Sequence, residues 1–106
     1  MSDTIELVTF KTIPGVTPAD LVAAAEPIGA WARAQPGFRY RSLSVDGNEQ
    51  WRDIIYWDSM DNARRASEQF MDVHGDSAFL ALIDAESVVM NHSLVQQAIM
   101  SENCNT

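Results

Sequence analysis

Cysteine is nearly missing from the chain: Cys104 is the only one in 106 residues, and it stands in the polar ending SENCNT. An internal disulfide and a cysteine-based metal cluster are thereby excluded. Positive charge is scarce as well. Seven basic residues face 15 acidic ones, a net charge of -8, which repels phosphate backbones and leaves no basic stripe for DNA or RNA. No run of about 18 apolar residues occurs, so no membrane-spanning helix is encoded. The opening MSDTIELVTF has neither the basic nor the apolar region of a secretory leader. A soluble, cytoplasmic protein without nucleic-acid or membrane partners is expected. Only two histidines are present and no HxH, HxxxH or HExxH occurs, so neither a metal site nor a bound cofactor is expected. A phosphate-binding glycine loop and a Gly-x-Ser-x-Gly elbow are also lacking.

What remains is an ordinary globular mixture, 46% hydrophobic and 21% charged, of a length that suits one domain with one core. Residues 1–98 are read as that domain and 99–106 as a flexible polar tail, in which Cys104 is a bystander. TIELVTFKTI, Thr4 to Ile13, has strand composition and stops at Pro14-Gly15. Thr17-Pro18-Ala19-Asp20 then supplies a helix cap, a proline suited to the first turn and a capping-box acid. Leu21, Ala24, Ala25, Ile28 and Ala32 recur at helical spacing. Pro27 interrupts that pattern, and a kink or break near Ala23 to Glu26 is expected.

Gln35-Pro36-Gly37 ends this helix, and strand character resumes over Phe38 to Val45 and over Trp51 to Trp57, with an Asp46-Gly47 turn signal between them. A hairpin follows from that. In IIYWDSMDNARRA the strand passes at once into a helix, because Asp58 or Ser59 can accept hydrogen bonds from the free N–H groups of the first turn. Ala63, Ala66, Phe70 and Val73 line one face of this second helix. His74-Gly75 closes it, with Gly75 suited to a left-handed terminal residue. Asp76 is the expected cap of a short extra helix with Phe79, Leu82 and Ile83 inward, and Ser87 to Val95 is the last strand.

The order strand, helix, strand, strand, helix, short helix, strand is that of a ferredoxin-like βαββαβ sandwich of the α+β class, with a four-stranded antiparallel sheet. Both parities of its strands carry large apolar groups, such as Ile5 and Leu7 against Val8 and Phe10. A sheet wetted on one face alternates more cleanly. A second copy of the chain on the outer face is therefore expected, giving a homodimer.

These segments carry a resemblance. ELVTFKTIPGVTPADL, QPGFRYRSL, DIIYWDSMDNARRA and FLALIDAESV, over roughly residues 4 to 96, resemble the dimeric α/β-barrel superfamily and, within it, the antibiotic biosynthesis monooxygenase-like group. The Trp-x-Ser junction at Trp57 to Ser59 and the Pro-Gly-Phe at Pro36 to Phe38 recur there as structural signatures. The resemblance implies two sheets packed as a dimeric barrel, with a cavity between sheet and helices in each subunit. Haem-degrading members use an asparagine on the first strand and a tryptophan and histidine on the second helix. Here the first strand offers Thr9 and the second helix only His74, so haem is not implied. Quinone-forming members oxidise polyphenols with molecular oxygen and no cofactor.

For chemistry, His92 is the first candidate, an acid or base near neutral pH among apolar and small neighbours; a core histidine satisfied by an acceptor is its plainer reading. Asp53, in an otherwise apolar strand, is a base if buried, or else the partner of Arg39 or Arg41 across the hairpin. Trp57 and Tyr56, with Trp31, Trp51 and Tyr40, can wall a pocket for a flat ligand or simply fill core and interface. His74 is a candidate ligand contact, or an imidazolium at a helix end. Two functions are expected: a protein that binds an aromatic or apolar metabolite in its cavity and, as an enzyme, performs cofactor-independent oxygenation or a proton transfer with His92 as acid or base and Trp57 shaping the pocket, or a non-enzymatic binding or stress-related protein whose cavity is filled core.

Overall fold

The computed structural model describes residues 3–101; Cys104 lies outside them. Its strands are β1 (Thr4–Phe10), β2 (Phe38–Val45), β3 (Trp51–Trp57) and β4 (Val89–Leu94); its helices are α1 (Pro18–Arg33), α2 (Met60–His74) and the one-turn α3 (Ala78–Ala81), with a 3-10 turn at Ala85–Ser87. The sheet is antiparallel with the order β2-β3-β1-β4, the ferredoxin-like arrangement expected.

Local chemistry sets the boundaries. Thr17 and Asp20 form a reciprocal capping box at α1, with Oγ1 accepting from Asp20 N–H at 3.1 Å and Oδ2 from Thr17 N–H at 3.0 Å. The expected break at Pro27 does not occur: α1 runs unbroken from Pro18 to Arg33. Pro27 and Ala23, whose carbonyl loses its partner, both lie on the exposed face, where water takes the place of the missing N–H. Ser59, not Asp58, caps α2, accepting from Asn62 N–H at 3.2 Å. Asp58 instead accepts from Asn62 Nδ2 at 2.8 Å and donates its own N–H to Gly37 at 2.8 Å. Gly37 has φ +83°, and a Cβ there would collide with Asp58 and Asn62. The strand-to-helix join thus depends on a glycine from the far side of β2.

Several further details differ from expectation. β1 ends at Phe10 because Lys11 to Ile13 change partner: Ile13 donates to Leu82 and Asp84 to Lys11, each at 2.9 Å. Gly75 is right-handed, φ -54° and ψ -32°, and is required for space, since a Cβ would sit 2.6 Å from the Met71 carbonyl. Ser77, not Asp76, caps α3. Ser87 lies outside β4, its hydroxyl accepting from Lys11 N–H at 2.8 Å and donating to the Asp84 carbonyl at 2.6 Å. In the hairpin, the residue with positive φ is Glu49 (+62°), not Gly47. Asp46 organises that loop, accepting from Asn48 and Gln50 N–H at 2.8 and 3.0 Å, and these bonds, led by Gln50, hold its carboxyl below the usual range.

The helices all lie on one sheet face, and the core beneath them is divided. One part gathers Phe10, Leu21, Ala25, Ile28, Trp51, Phe79 and Ile83, with Phe10 against Trp51 and Phe79 at 6.2 and 5.9 Å between ring centroids. The other gathers Ile55, Trp57, Ala63 and Ala66. The small side chains of α2 do not fill the space between the two parts. On the opposite sheet face Ile5, Leu7, Ile54 and Tyr56 form a half-buried apolar strip beside the more exposed Tyr40 and Val89, and among the described residues no helix covers it.

Candidate functional site

The gap between the two halves of the core is a cavity of about 400 Å³ bounded by β1, β3 and β4 below and by the helices above. Its walls are overwhelmingly apolar. Ring faces come from Phe10, Trp31, Trp57, Phe70 and Phe79. Ala32 and Ala66 supply short walls, and Met71, Val88 and Met90, all well exposed, stand where the cavity meets the surface. Apart from the indole N–H groups, the polar lining is Glu6, Asp53 and Ser67.

Register explains why the two carboxylates meet here. Glu6 pairs with Ile55 and with His92, while Val8 pairs with Asp53 and Met90, so Glu6, Asp53, Met90 and His92 all point to the helix side. The acids then part company. Arg41, one pair further along β2, holds Asp53 in two hydrogen bonds, Nε to Oδ1 at 2.9 Å and Nη2 to Oδ2 at 2.7 Å. Both side chains are about nine-tenths buried. The guanidinium also lies over Phe79, 5.9 Å from the ring centroid, and against Gly29, whose missing side chain leaves it room. Arg39, the alternative partner, is bulged out of register and pairs with Asp3 at 2.8 Å. Asp53 is therefore a cavity wall with its charge already answered.

Glu6 has no such cation. Its Oε1 lies 3.3 Å from His92 Nε2. Burial is the main influence on its carboxyl and raises its proton affinity; the hydrogen bond and charge of His92 oppose the rise, Asp53 adds to it, and Trp57 lowers it slightly. The result is a buried acid that accepts a proton more readily than a surface glutamate, with an imidazole behind it. His92 itself is not in the cavity wall. It stands on the edge strand β4, its side chain 16% exposed, and links Glu6 to solvent. The titratable groups that face the cavity are thus Glu6, backed by His92, and Asp53, where the sequence pointed to His92 and Asp53.

Two more polar groups close this end. Thr4 Oγ1 is buried without a hydrogen-bond partner, Trp57 Nε1 has only a loose approach to Glu6 that lowers that carboxyl's proton affinity, and their residues face each other across the β1–β3 pair. Trp57 is a cavity wall, as the sequence suggested. Tyr56 is not: it points to the opposite sheet face, where its ring meets Tyr40 at 6.1 Å. His74 lies behind the wall, its ring 5.1 Å from Trp31 and 5.3 Å from Phe70. Burial lowers its proton affinity, and its Nε2 is unpartnered. Glu6 was missed because an acid in ELVTF reads as a solvated strand position. Its shared parity with Thr4, Val8 and Phe10 was the available signal. Among the described residues no three His, Cys, Asp or Glu side chains come together as metal ligands do, and no helix is long and apolar enough to cross a membrane.

A helix-covered antiparallel sheet of this order is shared with other proteins. No family model matches the sequence, and no curated protein matches it. Solved structures do match in fold. SnoaB, a cofactor-independent oxygenase from Streptomyces nogalater, is 21% identical with a TM-score of 0.66, over 97% of this chain and 99% of that one. The monooxygenase from the gene ActVA-Orf6 of Streptomyces coelicolor, solved with the ligand nanaomycin D, is 19% identical with a TM-score of 0.71, over 95% of this chain and 94% of that one. A protein described as an antibiotic biosynthesis monooxygenase from Chloroflexus aurantiacus is 15% identical with a TM-score of 0.67, over 93% of this chain and 98% of that one. At such identities the likeness is one of fold, and function has to be argued from the site.

Proposed function

We propose that this protein is a cofactor-independent oxygenase of a flat aromatic metabolite, with the cavity as its substrate site and Glu6 as its base. The observation that carries this reading is a roomy apolar cavity with a buried carboxyl of raised proton affinity in its wall. A substrate with an acidic CH2 or phenol next to fused rings needs a base and oxygen, and little else. Glu6 takes a proton from the carbon, and the electron pair left behind forms a C–O bond to O2. The peroxide receives that proton, the second C–H proton leaves as the O–O bond breaks, and the products are a carbonyl and water. One oxygen atom enters the substrate, the other leaves as water, and the two electron pairs come from the C–H bonds. His92 passes protons between Glu6 and solvent. A desolvated base abstracts a proton from carbon more readily than a hydrated one. The fold similarity to a cofactor-independent oxygenase and to a monooxygenase solved with nanaomycin D supports the same direction.

Two copies meeting through the outer faces of their sheets complete the proposal. The uncovered strip of Ile5, Leu7, Ile54 and Tyr56 supports it, and a light-scattering mass twice that of the chain is the expected result.

The reading is tested with 1,8-dihydroxyanthrone under 18O2 in the presence of a chelator. The wild type is expected to place one labelled oxygen in the new carbonyl, and Glu6→Gln to lose at least about a hundredfold in rate. Oxidation at the uncatalysed rate, or unaffected by Glu6→Gln, refutes the assignment.

A further inference from the structure

We infer that Met71 and Met90, at the mouth of the cavity, are oxidation sites, and that their conversion to sulfoxide by a hydroperoxide shuts apolar ligands out. The inference rests on the cavity being the ligand site, as proposed above, and adds a way in which that site is regulated.

Placement comes first. Met71 of α2 and Met90 of β4 both line the cavity, yet they are 62% and 48% exposed. Phe10, Trp57 and Phe79 line it too and are almost wholly buried. A wall residue that is also exposed marks the rim, so the rim of this cavity carries two thioethers. Met90 shares the parity of Glu6 and Asp53 and points to the helix side, and Met71 is on a helix. Neither lies on the outer sheet face through which two copies are proposed to meet, so that contact leaves both sulfurs open to a solute.

Reactivity comes second. An exposed thioether is oxidised by hydrogen peroxide or an organic hydroperoxide. The sulfur lone pair takes the outer oxygen, the O–O bond breaks, and water or the alcohol leaves once the proton has moved to the remaining oxygen. Sulfur gives up two electrons and the peroxide gains them. The oxygenation proposed above forms a hydroperoxide in this same cavity, so the oxidant arises on the inner side of the two methionines.

The effect on the mouth comes third. A methionine side chain is apolar, unbranched and yielding, and a ring can pass it at little cost. Its sulfoxide is polar and hydrated, and an apolar ligand has to strip that hydration to enter. Ser67 of α2 already reaches across to β4, its Oγ donating to Met90 Sδ at 3.7 Å. A sulfoxide oxygen is a far stronger acceptor than a thioether sulfur, so the same hydroxyl holds the oxidised side chain over the opening as a polar bridge.

Dilute hydrogen peroxide, followed by peptide mass spectrometry and calorimetric titration with 1,8-dihydroxyanthraquinone, tests this. Met100, 70% exposed and no part of the cavity wall, serves as the internal control, and Met60, half-buried at the start of α2, as the slow one. Met71, Met90 and Met100 are expected to gain one oxygen each before Met60 does, and the treated wild type to bind at least about fivefold more weakly than the untreated. Methionine sulfoxide reductases acting on both epimers should restore the affinity, which separates closure of the mouth from unfolding and needs no variant. In the Met71→Leu, Met90→Leu double variant, treated and untreated protein should agree within about twofold, whereas Met100→Leu should give no such protection. Full affinity in wild type oxidised at Met71 and Met90, a loss that persists in the double variant, or a loss that the reductases do not reverse overturns the inference and leaves the cavity a binding site. If the untreated wild type binds nothing, the cavity reading fails and this inference with it.

Discussion

Two carboxylates on one cavity wall have different roles because of one neighbour. Asp53 is clamped by Arg41, both side chains about nine-tenths buried, so Asp53→Ala leaves a guanidinium desolvated and unpaired. The expected loss is about 3–5 kcal/mol in a urea melt; a normal melt with lost oxygenation would instead make Asp53 a reacting group. The pairing was legible in sequence, since Arg41 and Asp53 fall within reach across the hairpin. The setting of Glu6 was not legible, because only the register of β1 against β4 brings His92 behind it. His74 carries a pH signature. Its folded proton affinity lies below the ordinary value of 6.5, so the unfolded chain takes up the proton first. Its contribution to stability is complete above pH 6.5 and is lost as pH falls through the folded value. Glu6 acts in the opposite sense: its raised affinity favours the fold below 4.5 and that gain fades as pH rises through the folded value. Comparing wild type with His74→Phe cancels the Glu6 part. Melting temperatures are expected to fall more steeply in the wild type between pH 7 and 5.

Element identities follow closely from local chemistry. β2 and β3 begin and end where composition places them, because Pro36-Gly37, the Asp46 loop and Ser59 are all short-range signals. What failed were inferences about single residues whose effect depends on surroundings. Pro27 stays helical because it faces water, and Gly75 is needed for closeness to Met71 and not for a left-handed turn. In the hairpin the strained position fell to Glu49, at φ +62°, which an Asp-Gly signal does not forecast. Glu49→Gly relieves a conformation that costs L-residues roughly 1 kcal/mol, against a somewhat smaller entropic loss. A rise of up to about 0.5 kcal/mol in unfolding free energy is expected, and a fall of that size would place the strain elsewhere.

At the scale of the molecule, the hollow between the two parts of the core is the feature that pattern reading cannot supply. Ala32, Ala63 and Ala66 count as apolar positions in any periodicity, yet their small volume keeps the layers from filling the space that Trp31, Trp57 and Phe70 frame. Periodicity records which side faces inward; it does not record how much of the interior is occupied. The exposed apolar strip on the other side of the sheet was legible, through the mixed parity of Ile5, Leu7, Ile54 and Tyr56. Both features follow from one sheet that is apolar on two faces, one turned to the cavity and one left uncovered by the helices.

Filling the hollow tests the account most directly. Ala66→Leu adds methyl groups where the wall borders the cavity, leaves Glu6, Trp57 and His92 in place, and buries apolar surface, so its melting temperature should equal or exceed that of the wild type. Calorimetric titration with 1,8-dihydroxyanthraquinone is then expected to give one site per chain in the wild type and at least a tenfold weaker one in Ala66→Leu. Undiminished binding by a folded Ala66→Leu would place the ligand elsewhere and contradict the account.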